Sequence, residues 1–335
     1  MRTRRLKLLA VVGVLIGLAV GGLLWVRKAL TPMPDGPAIF IRFWRPLHMG
    51  DALTRLQQNG VVRDHLAMHL YALIRKAPGW VASGTYLVKP GQSPSTVLRD
   101  LDQPVRQLVR MPETNWARRD ARLLARYQVV TADAYLASVQ APARFKTMVD
   151  FPLPSDTLEG YLYPDTYDFP PLLGADSVIE RRLKAFQTKV WEKIGKPANL
   201  DRILKVASLV ELEAGTDEDR SLIAGVIQNR IAKGMPLQID ASIIYSLGKW
   251  RRLYYKDYAQ IKSPYNLYLH KGLPPTPICS PSLKSIQAAL KPAKNSYLYY
   301  VALPGGKSLF ASTYKEHEGN VEIRRAVVKL LDLFS

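Results

Sequence analysis

The chain has 335 residues, 47% of them hydrophobic, one cysteine and a formal net charge of +19. That length exceeds one ordinary core and calls for two compact units; the composition excludes a disordered chain, and the lone Cys279 excludes an intramolecular disulfide or a cysteine-built metal cage. The charge suits an anionic surface (nucleic acid, lipid headgroups or an anionic cell wall), while its scatter over Arg118, Arg119, Arg122 and Arg126, or Arg181, Arg182 and Lys184, suits a solvated basic face.

The first element decides among these partners. Residues 8–26 (LLAVVGVLIGLAVGGLLWV), bounded by Leu8 and Val26, hold no charge and no proline. The run is close to the roughly 20 residues that cross a bilayer as a helix. Arg2, Arg4, Arg5 and Lys7 precede it and only Arg27 and Lys28 follow, so the N-terminus is expected in the cytoplasm. A cleaved signal peptide is the rival, but the end of the run lacks the small residues a cleavage site needs. The expected layout is a cytoplasmic tail (1–7), a single transmembrane anchor in the lipid bilayer (8–28), a proline-rich linker (29–37) and a body beyond the membrane. That placement argues against nucleic acid as a partner.

Aromatic and β-branched residues predict a strand over 38–43, helical spacing predicts helices over 51–58 and 64–74, and GTYLV reads as a strand over 84–88. A short helix over 94–101 and a strand over 107–111 complete a small α+β unit, residues 38–110. His65 and His69 have metal-ligand spacing, but Leu66 stands where a zinc protease needs glutamate, so they read as a structural pair. The remainder, 111–335, begins with a basic helix over 117–139 and a proline- and aromatic-rich loop over 142–171 that holds LEGYLYPDTYDF. An amphipathic helix over 177–194 follows, then a helix over 199–214 that is apolar nearly all round. Such a helix is buried. Gly215 ends it, and Thr216 caps a second helix that runs to Lys233.

The buried helix carries Glu211 and Glu213 at its C-terminal end, where acids oppose the helix dipole. Burial raises a glutamate's pKa, which prepares a general acid for neutral pH, and glycosidic cleavage needs such an acid. Two residues apart, the pair points about 200° apart, so at most one can serve a given cleft. The helical wheel leaves the choice open, as it leaves open that both are merely solvated or salt-bridged.

Four stretches carry a resemblance: ASLVELEAG (207–215), RSLIAGVIQNRIAKGMPLQIDASIIYSLG (220–248), SPYNLYLHKGLPPTPICSPSLKSIQAALKPAK (263–294) and YLYYVA (297–302), joined by LEGYLYPDTY. Together they resemble the endolytic murein transglycosylase (YceG-like) family. The resemblance implies an α+β fold: an N-terminal transmembrane helix, a small LysM-like unit over 38–110, and a mainly helical C-terminal catalytic domain with a few strands over 111–335. It implies Glu213 as the catalytic acid and Glu211, Asn229, Gln238, Asp240, Tyr265 and Asn266 as supporting or substrate-binding residues, with no metal and no cofactor. The implied partners are peptidoglycan glycan strands and, beside the anchor, peptidoglycan synthases. The implied place is the inner (cytoplasmic) membrane, with the catalytic domain periplasmic. The implied reaction is cleavage of the MurNAc–GlcNAc β-1,4 bond with 1,6-anhydro-MurNAc ends. The alternative is a non-enzymatic peptidoglycan-binding scaffold. Thr276 replaces the family's usual glycine, MPETNW replaces a PEG-type turn, and the LysM-like unit is the most divergent part.

Overall fold

The computed structural model describes residues 2–333. Met1, in the expected tail, and Phe334 and Ser335, ending the expected catalytic domain, lie outside the described residues. So do the side chains of residues 2–8 and Ala10, on which the expected orientation of the anchor rests. The fold is mixed α+β and mainly helical, in two compact units: residues 2–107 with Pro170–Leu173, and Leu108–Phe169 with residues 174–333. Among the described residues the strands form four two-stranded sheets, all antiparallel.

The first unit opens with helix α1 (Arg2–Ala29). Its stretch Val11–Ala29 is long and apolar enough to cross a bilayer. Residues 11–25 are all exposed. Strands β1 (Ile39–Phe43) and β2 (Leu47–His48), helices α2 (Met49–Gln58) and α3 (His65–Ile74), strands β3 (Trp80–Val81) and β4 (Gly84–Val88) and helix α4 (Pro94–Asp100) follow. The strands alternate: Ile41 and Phe43 of β1, with Tyr86 and Val88 of β4, face a core completed by Leu53 and Leu56 of α2 and Val97 of α4. Asp64 caps α3 by accepting from Ala67 N, and Ser93 caps α4 with Pro94 in its first turn. His65 Nδ1 lies 2.8 Å from Gln57 Oε1, in keeping with a structural role.

The second unit comprises β5 (Leu108–Met111), α5 (Ala117–Arg126), α6 (Ala132–Val139), β6 (Asp165–Asp168), α7 (Ala175–Phe186), α8 (Leu200–Glu213), α9 (Asp217–Ala232), α10 (Asp240–Leu247), α11 (Tyr255–Gln260), α12 (Leu283–Leu290), β7 (Tyr299–Ala302), β8 (Ser308–Ala311) and α13 (Tyr314–Asp332). Its centre is α8, whose Leu204, Ala207, Leu209 and Val210 are fully buried against α9, α10 and α12. A buried ion pair fixes the flank: Arg182 Nη1 lies 2.6 Å from Asp120 Oδ2. The same guanidinium donates to Tyr135 and to the carbonyls of Leu162 and Tyr163, which pins the LEGYLYPDTY loop.

Three expectations differ from the structure. The helix over 117–139 is two helices, because Gln128 adopts a left-handed φ of 56° and Thr131 caps a new start. The strand read over 107–111 as part of the small unit spans Leu108–Met111 and pairs with β6 inside the stretch read as loop. The helix over 177–194 ends at Phe186 and continues as a wider π turn, Gln187–Trp191.

Candidate functional site

The site starts from the end of α8. Gly215 follows the helix because nothing larger fits: a Cβ there would lie 2.2 Å from the carbonyl oxygen of Gly306 in the β7–β8 turn. That contact sets the hairpin against the last turn of α8. A second clasp comes from α9, where a Cβ on Gly225 would lie 2.5 Å from Ala293 O. One turn on, Asn229 Nδ2 donates to Asn295 O and Tyr297 O, at 3.0 and 2.9 Å. The segment leading into β7 is thereby locked, and β7 brings Tyr300 to Glu213.

Glu213, Arg230, Gln238, Asp240, Tyr268, Tyr299, Tyr300 and His317 wall a cleft of about 390 Å³. Glu213 is half-buried. The Tyr300 hydroxyl donates to its Oε2 at 2.9 Å. Burial pushes this carboxyl up to about 7, with a smaller push from the Asp240 charge and an opposing pull from the Tyr300 hydrogen bond. Tyr300 is itself pushed well above the phenol range, by burial and by the Glu213 charge, so it remains a donor.

Asp240 opens α10 at the cleft rim, exposed. Its Oδ1 accepts from Tyr268 at 2.6 Å and its Oδ2 from Tyr258 at 3.3 Å. Gln238 holds a left-handed φ of 53°, its N–H bonded to Leu267 O at 3.0 Å. Arg230 emerges from α9 beneath the cleft and donates through Nε to Leu298 O at 2.6 Å and through Nη1 to Leu237 O at 2.7 Å. His317 of α13 stacks on Tyr299, its Nδ1 buried without a hydrogen-bond partner. Burial and the Arg230 charge hold its pKa down, so it is neutral at physiological pH.

Of the residues singled out in the sequence, Glu213, Gln238 and Asp240 therefore meet at one cleft. The others stand elsewhere. Glu211 is buried on the opposite side of α8, where Oε2 accepts from the N–H and hydroxyl of Ser282, at 2.9 and 2.6 Å, and Oε1 faces Arg220 at 3.2 Å. It joins α8 to the capping residue of α12. Asn229 clasps the approach to β7. Asn266, fully buried, donates to the carbonyls of Tyr258 and Ile261 and accepts from Tyr268 N. It thus ties the end of α11, with Tyr258, to the following loop, with Tyr268, and these two tyrosines hold Asp240. Tyr265 lines a separate cavity with Trp116 and Tyr245. Its hydroxyl pairs with Thr276 at 2.9 Å, which gives the threonine of LPPTP a bonded place.

Sequence reasoning missed Tyr300, Arg230 and His317. An arginine inside the apolar helix of α9 and the repeated tyrosines of YLYYVA were the available signals. Neither reports what faces Glu213, because Tyr300 lies 87 residues further along the chain. Among the described residues no group of three His, Cys, Asp or Glu side chains could hold a metal ion.

With this geometry in place, comparison with known proteins assigns the family. The chain is 32% identical over 303 residues to an endolytic murein transglycosylase of Streptococcus pneumoniae serotype 2, covering 80% of this chain and 55% of the relative. It is 41% identical over 166 residues to one of Bacillus subtilis, covering 48% and 46%. The chain thus spans about half the length of the curated relatives it matches. The crystal structure of a yceG-like protein from Listeria monocytogenes superposes with a TM-score of 0.56 at 27% identity, covering 84% of this chain and 99% of that one. The family model described as YceG-like matches residues 48–323, and this chain belongs to the YceG-like family.

Proposed function

We propose that this protein is a membrane-anchored lytic transglycosylase that cuts peptidoglycan glycan strands, with Glu213 as acid and then base. The observation that carries this reading is a half-buried carboxyl raised to about 7 on the wall of an open cleft. At neutral pH a large share of such a carboxyl carries the proton that a glycosidic oxygen needs.

Protonated Glu213 donates to the oxygen between MurNAc and GlcNAc, and the C1–O bond breaks. The positive charge that develops at C1 is met by the substrate's own acetamido group, so no protein nucleophile is required. Ionised Glu213, steadied by the Tyr300 hydroxyl, then takes the proton of the sugar's 6-hydroxyl as that oxygen bonds to C1. The product is a 1,6-anhydro end; no water is consumed and Glu213 is protonated again. The Asp240 charge at the rim favours the protonated form of Glu213, and its carboxylate holds Tyr268 and Tyr258 in place.

The finer features implied by the resemblance belong to the same reading. Residues 8–28 cross the inner membrane with the N-terminus cytoplasmic, and residues 111–335 act in the periplasm on nascent strands beside the synthases. The small unit at 38–110 is LysM-like. Glu211, Asn229 and Asn266 support the cleft from behind, and Tyr265 has its supporting role at the neighbouring cavity.

The test uses the full chain in detergent with purified peptidoglycan, as wild type and as Glu213→Gln, with products read by mass. Wild type is expected to release fragments one water lighter than hydrolysis products, and the variant to lose ~10²–10⁴-fold in rate. Products of hydrolytic mass would replace the anhydro route by water activated at Asp240. Glycan binding without cleavage in both proteins would leave the scaffold.

A further inference from the structure

We propose that the outward face of α3 rests in the lipid interface, a second membrane contact beside the anchor. Helix α3 is apolar on two faces. Ala67, Met68 and Ala72 face the core of the small unit. Leu66, Leu70, Leu73 and Ile74 face outward and are 56%, 46%, 60% and 78% exposed. Their spacing, i, i+4, i+7 and i+8, makes one continuous stripe. Single exposed leucines are ordinary surface, but four on two turns of one short helix are a patch that water disfavours.

The neighbourhood selects lipid as the occupant. Ala29, where α1 ends, is buried and lines one small cavity with Leu30, Val61, Arg63 and Met68. The start of α3 is therefore beside the point where the anchor ends. A ten-residue helix is about 15 Å long, so the whole stripe lies within that distance of the place where the anchor leaves the bilayer. Exposed Arg63 precedes the helix, and exposed Arg75 and Lys76 follow it. Basic side chains at both ends of an apolar stripe reach lipid phosphates while the stripe enters the acyl boundary. The one acid at that end, Asp64, is engaged as the helix cap. The consequence is a small unit held against the membrane surface rather than tethered at a distance by a free linker.

The proposal rests on the reading of residues 8–28 as a bilayer anchor, and the test separates the two. The full chain is reconstituted in phosphatidylglycerol/phosphatidylethanolamine vesicles with an environment-sensitive fluorophore on a single introduced cysteine, as Leu70→Cys, Leu73→Cys, Gln103→Cys or Leu18→Cys. Native Cys279 is buried and its thiol is pushed well up by burial, so the label goes to the introduced site. Leu70 and Leu73 are exposed, so neither change opens the core. The labels at 70 and 73 are expected to be quenched by lipid-borne quenchers at a depth of about 5–10 Å and shielded from aqueous iodide. The label at 103 is expected to remain open to iodide, and the label at 18 to be quenched by the deep acyl probes. Iodide access at 70 and 73 equal to that at 103, with 18 quenched by lipid, overturns the α3 contact and keeps the anchor. Shielding at 70 and 73 that depends on protein density and not on lipid quencher assigns the stripe to a second copy of the chain and also overturns it. A label at 18 untouched by lipid removes the anchor and the proposal with it.

Discussion

Glu213 sits between two influences of opposite sign. Asp240 raises its pKa, and the Tyr300 hydroxyl lowers it by bonding the charged form. These give two pH profiles with opposite displacements. In the proposed role Glu213 must be protonated to act, so the alkaline limb of the rate profile is expected near pH 7 in the wild type. Asp240→Asn removes the charge that favours the proton and should move that limb to lower pH. Tyr300→Phe removes the bond that favours the anion and should move it to higher pH. Rates on purified peptidoglycan from pH 5 to 9 would check both; two displacements of the same sign would sink this account of the site. At this scale the sequence was informative about Glu213, because an acid in an apolar helix is costly and therefore visible. It was silent on the choice between Glu211 and Glu213, since both lie on the same helix and only their distant partners, Ser282 and Tyr300, separate them.

Helix α9 shows how one element positions another. Gly225 and Asn229 are one turn apart and share the face that grips residues 293–297. Ala293 cannot retreat, because its N–H is bonded to Ser221 O at 3.0 Å. Gly225→Ala should therefore destabilise the protein by about 1–3 kcal/mol through overpacking, against a gain of at most about 1 kcal/mol in helix propensity. Gly319 on α13 provides the contrast, with nothing within 4 Å of its would-be Cβ. There the same substitution should stabilise by about 0.5–1 kcal/mol. Denaturant unfolding of the two variants is expected to give shifts of opposite sign; equal shifts would mean that the clasp on 293 yields. Helix identity was legible from apolar spacing and caps, as for Thr216 before α9. Helix breaks were not: the spacing over 117–139 continues through Gln128, where a left-handed turn closes α5 with Val129 N bonded to Leu124 O. Strand β6, the polar sequence DTYD, has no alternation to read and exists through its pairing with β5.

For the molecule as a whole, buried charge links stability to pH. Glu159, 5% exposed, accepts from Ala117 N with both oxygens and from the Tyr245 hydroxyl. Burial pushes its carboxyl from 4.5 up to about 8. The folded state then holds a proton that the unfolded chain has released, so stability from this group is greatest below the unfolded value. It falls as pH rises from about 4.5 to about 8, and is flat above. Glu159→Gln keeps a carbonyl for Ala117 and has no charge to bury, so unfolding midpoints across that range should slope less in the variant, by up to a few kcal/mol over the window. Parallel slopes would mean that Glu159 is ionised in the folded protein. That the chain holds more than one compact unit was legible from its length. The seam was not, because β5 finds its partner in Asp165–Asp168, across two helices and a loop that no local pattern connects.

Gln238 is singular in its backbone among the cleft residues named above. Its φ of 53° is a conformation that glycine adopts freely and a side-chained residue at a cost of about 1 kcal/mol. The chain accepts that cost at the cleft wall beside Asp240. Gln238→Gly should thus give a protein that melts higher and cleaves more slowly, with KM rising more than kcat falls. Such a variant would be sturdier and less able, which marks this turn as shaped for what it touches and not for how firmly it holds.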